Sequence, residues 1–228
     1  MTRFLVALLI VMGMSCLAQG DAFDLLKAGL AARSRGDFAT AADFYTQAID
    51  TGGLSDTVLA AVLTSRGVAY DMIGQTDRAI DDFTAAIRLN PDRSDKYIHR
   101  GLAWAKKREF NRAIADFSDA IQRDPGGAFL ALNDRGNAYE AVGEYDQAIE
   151  DYGRAIQLDP SYAPAYYNRA GVYYAKLDFD RAIEDYSQAI EFRPDSAQAY
   201  NNRGCLSREG CRRQGDRRFR CSNPFEPE

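Results

Sequence analysis

Histidine is almost absent from this chain of 228 residues, which contains only His99. The sequence also lacks the HExxH motif, the Walker loop, the GxSxG nucleophile elbow and the GxGxxG loop. These absences exclude the enzyme classes that are built on those motifs. We interpret His99 as a partly exposed helical side chain rather than a catalytic base. The sequence therefore predicts a protein without catalytic activity and without a cofactor.

Cysteine is missing from the whole of residues 17–204, so folding of that segment cannot depend on disulfides. Three cysteines follow, Cys205, Cys211 and Cys221, with five and nine residues between them. Structural zinc favours short ligand pairs and four ligands, and three cysteines are an odd number for disulfide pairing. We predict neither a metal site nor a native disulfide in this region.

Long apolar runs are also missing, apart from residues 4–14, which are too few to span a bilayer. Arg3 precedes this run, and small residues at Ala18 and Gly20 follow it. This order is typical of a secretory signal peptide over residues 1–20 and predicts an exported, periplasmic or secreted protein. Lipid attachment at Cys16 is the alternative, although Gly13 stands where a lipobox has a branched apolar residue.

Acidic residues outnumber basic ones in most of the chain. The net charge is −5, but residues 203–228 contain 7 arginines against 4 acids, so the rest carries −8. An acidic body is a poor partner for a phosphate backbone, so we expect no nucleic-acid binding there.

A repeat is the dominant feature of the sequence. The segments "DRAIDDFTAAIRLNP", "NRAIADFSDAIQRDP", "DQAIEDYGRAIQLDP" and "DRAIEDYSQAIEFRP" end in prolines that lie 34, 35 and 34 residues apart. A period of this length indicates stacked structural repeats. The repeats are residues 22–59, 60–93, 94–128, 129–162 and 163–196, followed by a partial sixth repeat at 197–204.

Each repeat contains two amphipathic helical patterns with small residues at fixed positions. On the first and second helices respectively these are Gly67, Gly101, Gly136 and Ala170, and Ala79, Ala113, Ala148 and Ala182. Small side chains let two helices approach closely, and nearby aromatic residues fill the remaining space. Prolines cannot continue a helix and turn the chain into the next repeat. They are Pro91, Pro125, Pro160 and Pro194.

This pattern resembles the tetratricopeptide repeat over residues 21–204. The resemblance implies an all-α, superhelical solenoid of antiparallel helix pairs that binds proteins or peptides and performs no catalysis. It also implies a groove lined by the second, fifth, ninth, twelfth and thirteenth positions of each first helix. The lysines with which some relatives clamp a terminal carboxylate are missing at the fifth position, which holds Thr64, Ile98, Asn133 or Tyr167.

The groove positions predict two kinds of binding surface. One is an apolar strip of Val68, Met72, Ile98 and Leu102. The other is rich in amides and tyrosines, which suit an extended peptide backbone and supply contact area at low entropic cost. Its members are Asn133, Asn137, Glu140, Tyr167, Tyr174 and Asn201.

Charged residues also recur with the period, and we interpret them as structural. Arg66, Arg100, Arg135, Arg169 and Arg203 share one position, and Asp82, Asp116, Asp151 and Asp185 share another. Arg78, Arg112 and Arg181 precede aspartates by four residues, which allows pairing along one helix. We expect a solvated or inter-helix ladder of ion pairs.

These observations favour a protein- or peptide-binding scaffold in the cell envelope. Two alternatives remain open. The repeats form a self-assembling structural subunit, or the arginine- and cysteine-containing tail binds nucleic acid or metal.

The repeat register stops abruptly after "AQAYNNRG", which ends at Gly204. One choice of permitted codons for residues 205–228, read one base later, gives "AYREKGADDRAIDDFDAAIRLNP", which restores the repeat. We therefore predict that residues 205–228 are a frameshifted, disordered tail. Sequencing the nucleotides across codons 203–207 checks this: a +1 frame that does not encode the repeat contradicts it.

Overall fold

The computed structural model describes residues 20–213, with side chains described as far as residue 206. Within this range the regular structure is helical, which confirms the predicted all-α class. The helices are α1 (20–34), α2 (Phe38–Thr51), α3 (Asp56–Met72), α4 (Thr76–Leu89), α5 (Ser94–Lys106), α6 (Phe110–Arg123), α7 (Phe129–Ala141), α8 (Tyr145–Leu158), α9 (Ala163–Ala175), α10 (Phe179–Phe192) and α11 (Ala197–Arg213). None of the helices described is both long and apolar enough to cross a membrane.

The chain divides into two compact units. The N-terminal unit extends to Arg123 and contains α1–α6, and the C-terminal unit starts at Asp124 and contains α7–α11. Each odd-numbered helix from α1 to α9 is the first of a pair and packs against the helix that follows it, whereas α11 is the last helix described and packs against α10. Residues 1–19 lie outside the described part of the chain, and they contain all of the predicted signal peptide except Gly20, including Cys16.

A residue with a left-handed backbone conformation follows the first helix of each pair. Gly74 and Gly143 occupy this position with φ of 80° and 84°, where a glycine has no steric cost. Arg108 and Leu177 take the same role with φ of 62°. The amides of Gly74 and Gln75 donate to carbonyls of the preceding helical turn, so the tight turn also satisfies the helix end.

A glycine on each first helix lies against an aromatic ring on the second. A Cβ atom added to Gly67, Gly101 or Gly136 would lie 2.7 Å from a ring carbon. The rings belong to Phe83, Phe117 and Tyr152, which are at most 1% exposed. Ala170 takes the glycine position in the fifth repeat and is fully buried, as are the four alanines of the second helices.

Bidentate ion pairs join the same two helices. Arg135 Nε and Nη2 each donate to Asp151 over 2.7 Å, and the aspartate side chain is only 4% exposed. Three further pairs have the same arrangement: Arg66–Asp82, Arg100–Asp116 and Arg169–Asp185. The inter-helix form of the predicted ladder is therefore the one observed.

The expected pairing along one helix is wrong. The guanidinium groups of Arg78, Arg112 and Arg181 lie over aromatic rings of the preceding helix, 4.4–5.5 Å from the ring centroids. The aspartates are occupied instead by arginines 16 residues earlier, because bidentate geometry between packed helices satisfies both carboxylate oxygens.

The last described helix continues past Gly204, the predicted end of the repeat domain. Helix α11 extends to Arg213, and Leu206 is 1% exposed in the cluster formed with Tyr186 and Ala189. This apolar contact lies beyond the expected end of the repeats, and the frameshifted, disordered tail over residues 205–228 stays a prediction. The remaining predicted tail, residues 214–228, lies outside the described residues.

Candidate peptide-binding surface

The first helices of each unit present a common face, which we call the first-helix surface of that unit. In the C-terminal unit it is formed by α7, α9 and α11. An amide network joins the first two of these helices. Asn168 Nδ2 on α9 donates to Oδ1 of Asn133 over 2.9 Å and to Oδ1 of Asn137 over 3.0 Å on α7.

The two asparagines predicted on α7 therefore differ in their availability to a ligand. Asn133 is only 4% exposed, and its own Nδ2 donates to Asp134. Its role in peptide binding stays a prediction, and in this structure its amide has partners inside the protein. Asn137 is exposed and uses its Oδ1 as an acceptor. The donor that it presents to solvent is its Nδ2 group.

The buried Tyr152 also contacts this amide network. The Tyr152 hydroxyl donates to Asn137 Oδ1 at 2.8 Å and also lies 3.1 Å from Glu140 Oε2. Burial raises the pKa of Glu140 above its ordinary value, although the hydrogen bond from Tyr152 opposes this. Burial also raises the pKa of the neighbouring Asp134. This surface thus holds carboxylates that are costly to ionise.

Tyr167 lies on α9 and is fixed by residues of neighbouring helices. Asn202 Nδ2 donates to its hydroxyl over 3.1 Å, and its ring packs edge-on against Tyr186 with centroids 5.5 Å apart. A cavity of about 110 Å³ lies beside it, with Pro164, Arg193 and Gln198 in its wall. Tyr167 is half-buried, and its contacts with Asn202 and Tyr186 hold its ring in one position.

The remaining two predicted residues of this surface have less defined surroundings. Tyr174 is half-buried and packs at a tilt against Phe179 with centroids 5.9 Å apart. Asn201 is exposed on α11.

The first-helix surface of the N-terminal unit is formed by α1, α3 and α5 and carries the predicted apolar strip. Met72 is 59% exposed and Leu102 is 43% exposed, whereas Val68 and Ile98 are half-buried. Val68 also lines a cavity of about 320 Å³ between the three first helices. This unit therefore offers apolar contact area next to a concave site.

Sequence reasoning missed the sixth position of each first helix. Asn168 and Asn202 occupy it in the C-terminal unit, and both donate hydrogen bonds to predicted site residues. The signal was available, because every repeat has a polar residue there: Ser65, His99, Asp134, Asn168 and Asn202. A polar residue that recurs at a half-buried position indicates a hydrogen-bonding role.

Comparison with family models identifies the class of protein. Two models described as tetratricopeptide repeat match residues 65–128 and 163–196, and one described as TPR repeat matches residues 136–176. Together they cover more than half of the chain. The chain belongs to the tetratricopeptide repeat family.

Solved structures with the same fold include MamA, at 26% identity and a TM-score of 0.66 over 75% of this chain and 96% of that one. YrrB, described as a TPR protein with an unusual peptide-binding site, matches at 22% identity and 0.65 over 81% and 92%. MamA from Desulfovibrio magneticus RS-1 matches at 18% identity and 0.69 over 78% and 97%. A search of curated protein sequences found no match.

Replacing Glu140 tests the electrostatics of the amide network. A carboxyl group with a raised pKa in the folded state binds its proton more tightly than in the unfolded chain. Stability from this group is greatest below the unfolded pKa and falls as the pH rises through the folded pKa. We expect Glu140→Gln to raise the thermal midpoint relative to the parent at pH 7 and to bring little gain at pH 4.

The matched control is Glu184→Gln, because Glu184 is an exposed helical glutamate of the same unit. Its difference from the parent should vary less with pH, as measured by circular dichroism melting. A stability gain for Glu140→Gln that is the same at both pH values would contradict the assignment.

Proposed function

We propose that this protein is a non-catalytic scaffold that binds an extended peptide or a protein segment on its first-helix surfaces. The observation that supports this most is the arrangement around Tyr167 and Asn137. One supplies a large ring and the other a free amide group, on neighbouring helices of one face.

Preorganisation supports this proposal. Asn202 and Tyr186 hold the Tyr167 ring, and Asn168 and Tyr152 fix the Asn137 side chain. Side chains held in place before binding lose less conformational entropy when a ligand arrives. The two residues are thus suited to act as binding hot spots.

The apolar strip of the N-terminal unit supports the same role. Met72 and Leu102 expose large apolar side chains that a peptide would remove from water. Methionine adapts to differently shaped partners because its side chain is unbranched and polarisable. YrrB has a peptide-binding site on this fold, as its description states, which is consistent with such a use.

Residues 1–20 support a location in the cell envelope, as an exported protein. The segment combines a basic start, a short apolar run and small residues, which is the pattern of a secretory signal. The partner would then be an envelope protein or a secreted peptide.

Selection from a displayed library of random peptides tests the proposal. The full chain should enrich peptides, and Tyr167→Ala combined with Asn137→Ala should weaken a selected peptide by about tenfold or more, because hot-spot truncation costs about 2 kcal/mol. Circular dichroism should show unchanged helix content.

Tyr145→Ala is the matched control, since Tyr145 is an exposed tyrosine at the start of a second helix. It should leave the affinity unchanged. Failure to select any peptide would contradict the proposed function. Equal affinity of the double variant and the parent would contradict the assignment of a binding site to the C-terminal unit.

A further inference from the structure

One lysine breaks the repeat at a core position. The third position of each first helix is occupied by a buried apolar residue in four repeats: Val62, Ala131, Ala165 and Ala199, each at most 4% exposed. The third repeat has Lys96 there, and its side chain is 3% exposed. Packing explains the apolar residues, but it gives no reason for an amine at this position, because burial of an ammonium group is costly.

Lys96 is poorly compensated by its surroundings. Its nearest described carboxylate oxygen is Asp95 Oδ1, at 3.8 Å from Nζ, which is beyond hydrogen-bond distance. That carboxylate already accepts two hydrogen bonds from Arg93. Burial lowers the pKa of Lys96, which reflects the same lack of compensation.

The lysine lines the cavity of about 320 Å³ on the first-helix surface of the N-terminal unit. Two further residues of its wall carry chemistry that is found once among the equivalent positions. Arg33 on α1 occupies the twelfth position, which holds Asp71, Ala105, Glu140 or Tyr174 in the other complete repeats. His99 is the only imidazole of the chain and stacks on Phe83, with ring centroids 5.6 Å apart.

Lys96, Arg33 and His99 meet at this one cavity. Residues that serve packing recur with the period, whereas residues that serve a ligand are needed once. Arg33, Lys96 and Arg93 bring three basic groups to the cavity wall against the single carboxylate of Asp95. These residues give the cavity wall a net positive charge, although the net charge of the whole chain is −5. A site of this kind attracts an anionic group, because the anion would pair with the buried ammonium group of Lys96.

We propose that this cavity binds a carboxylate group of the peptide ligand, with Lys96 and Arg33 as its cationic partners. Neutral donors of the wall, Ser65 and Asn90, complete a polar lining, while Val68 connects the cavity to the apolar strip. The ligand is thus an acidic peptide with an apolar residue beside the acidic one. This inference rests on the proposed function, because it names the chemistry of the same ligand.

The experiment uses the peptides selected by the full chain. Aspartate and glutamate should be enriched relative to the starting library. One enriched peptide is then made in two forms, acidic and with the acid replaced by its amide, and the affinity of each is measured for the parent, Lys96→Ala and Lys27→Ala. Lys27 is the matched control, a lysine of α1 that is 77% exposed and outside the cavity wall.

Lys96→Ala should bind the acidic peptide about tenfold more weakly than the parent does, since charge-assisted hydrogen bonds contribute about this much. It should bind the amide peptide as the parent does. Its thermal midpoint should be no lower than the parent's, because alanine fills this position in three other repeats. Lys27→Ala should change neither affinity beyond a weak, salt-sensitive effect.

The outcomes separate the two proposals. Enrichment of peptides without acidic residues, or an equal loss of both peptide forms in Lys96→Ala, would overturn the carboxylate site and leave peptide binding intact. Unchanged binding of the acidic peptide to Lys96→Ala would overturn it as well. If the parent selects no peptide at all, the proposed function itself fails.

Discussion

The contact between a glycine and an aromatic ring is the constraint on which the rest of this structure depends. At Gly136 a single added carbon would lie 2.7 Å from the Tyr152 ring, so the ring occupies the space that any side chain at this position would need. Close approach lets Arg135 reach Asp151 with both nitrogens and leaves the carboxylate buried. The same approach decides which side chains face away from the pair, and these are the ones that a ligand meets.

The repeats help to identify residues that have a role other than packing. Because the packing residues recur at fixed positions, a residue that departs from its position without a packing reason stands out. Lys96 replaces an apolar core residue and lines a cavity, and Arg33 and His99 lie in the wall of the same cavity. The polar residues of the C-terminal unit follow another rule. They recur at the sixth position of the first helices, where Asp134, Asn168 and Asn202 each have different hydrogen-bond partners.

Much of the fold was predictable from the sequence, because local patterns encode it. The period located the helix pairs, and the small and aromatic residues indicated their contact. The partner of each buried aspartate was not predictable by the helical rule, since Asp151 contacts an arginine 16 residues away across packed helices. Burial of Asn133 also depended on a neighbouring helix, because Asn168 reaches it from α9. The cavity around Lys96 needs three helices at once, so sequence spacing alone could not show it.

A comparison of two glycines tests the central packing claim most directly. Gly136 and Gly204 share one repeat position in the C-terminal unit, but no described atom lies within 4 Å of a Cβ added to Gly204. Thermal unfolding should show Gly136→Leu destabilised by about 1–3 kcal/mol, the usual cost of overfilling a packed contact. Gly204→Leu should be unchanged or slightly stabilised, because leucine has the better helix propensity. Equal midpoints for the two variants would contradict the account.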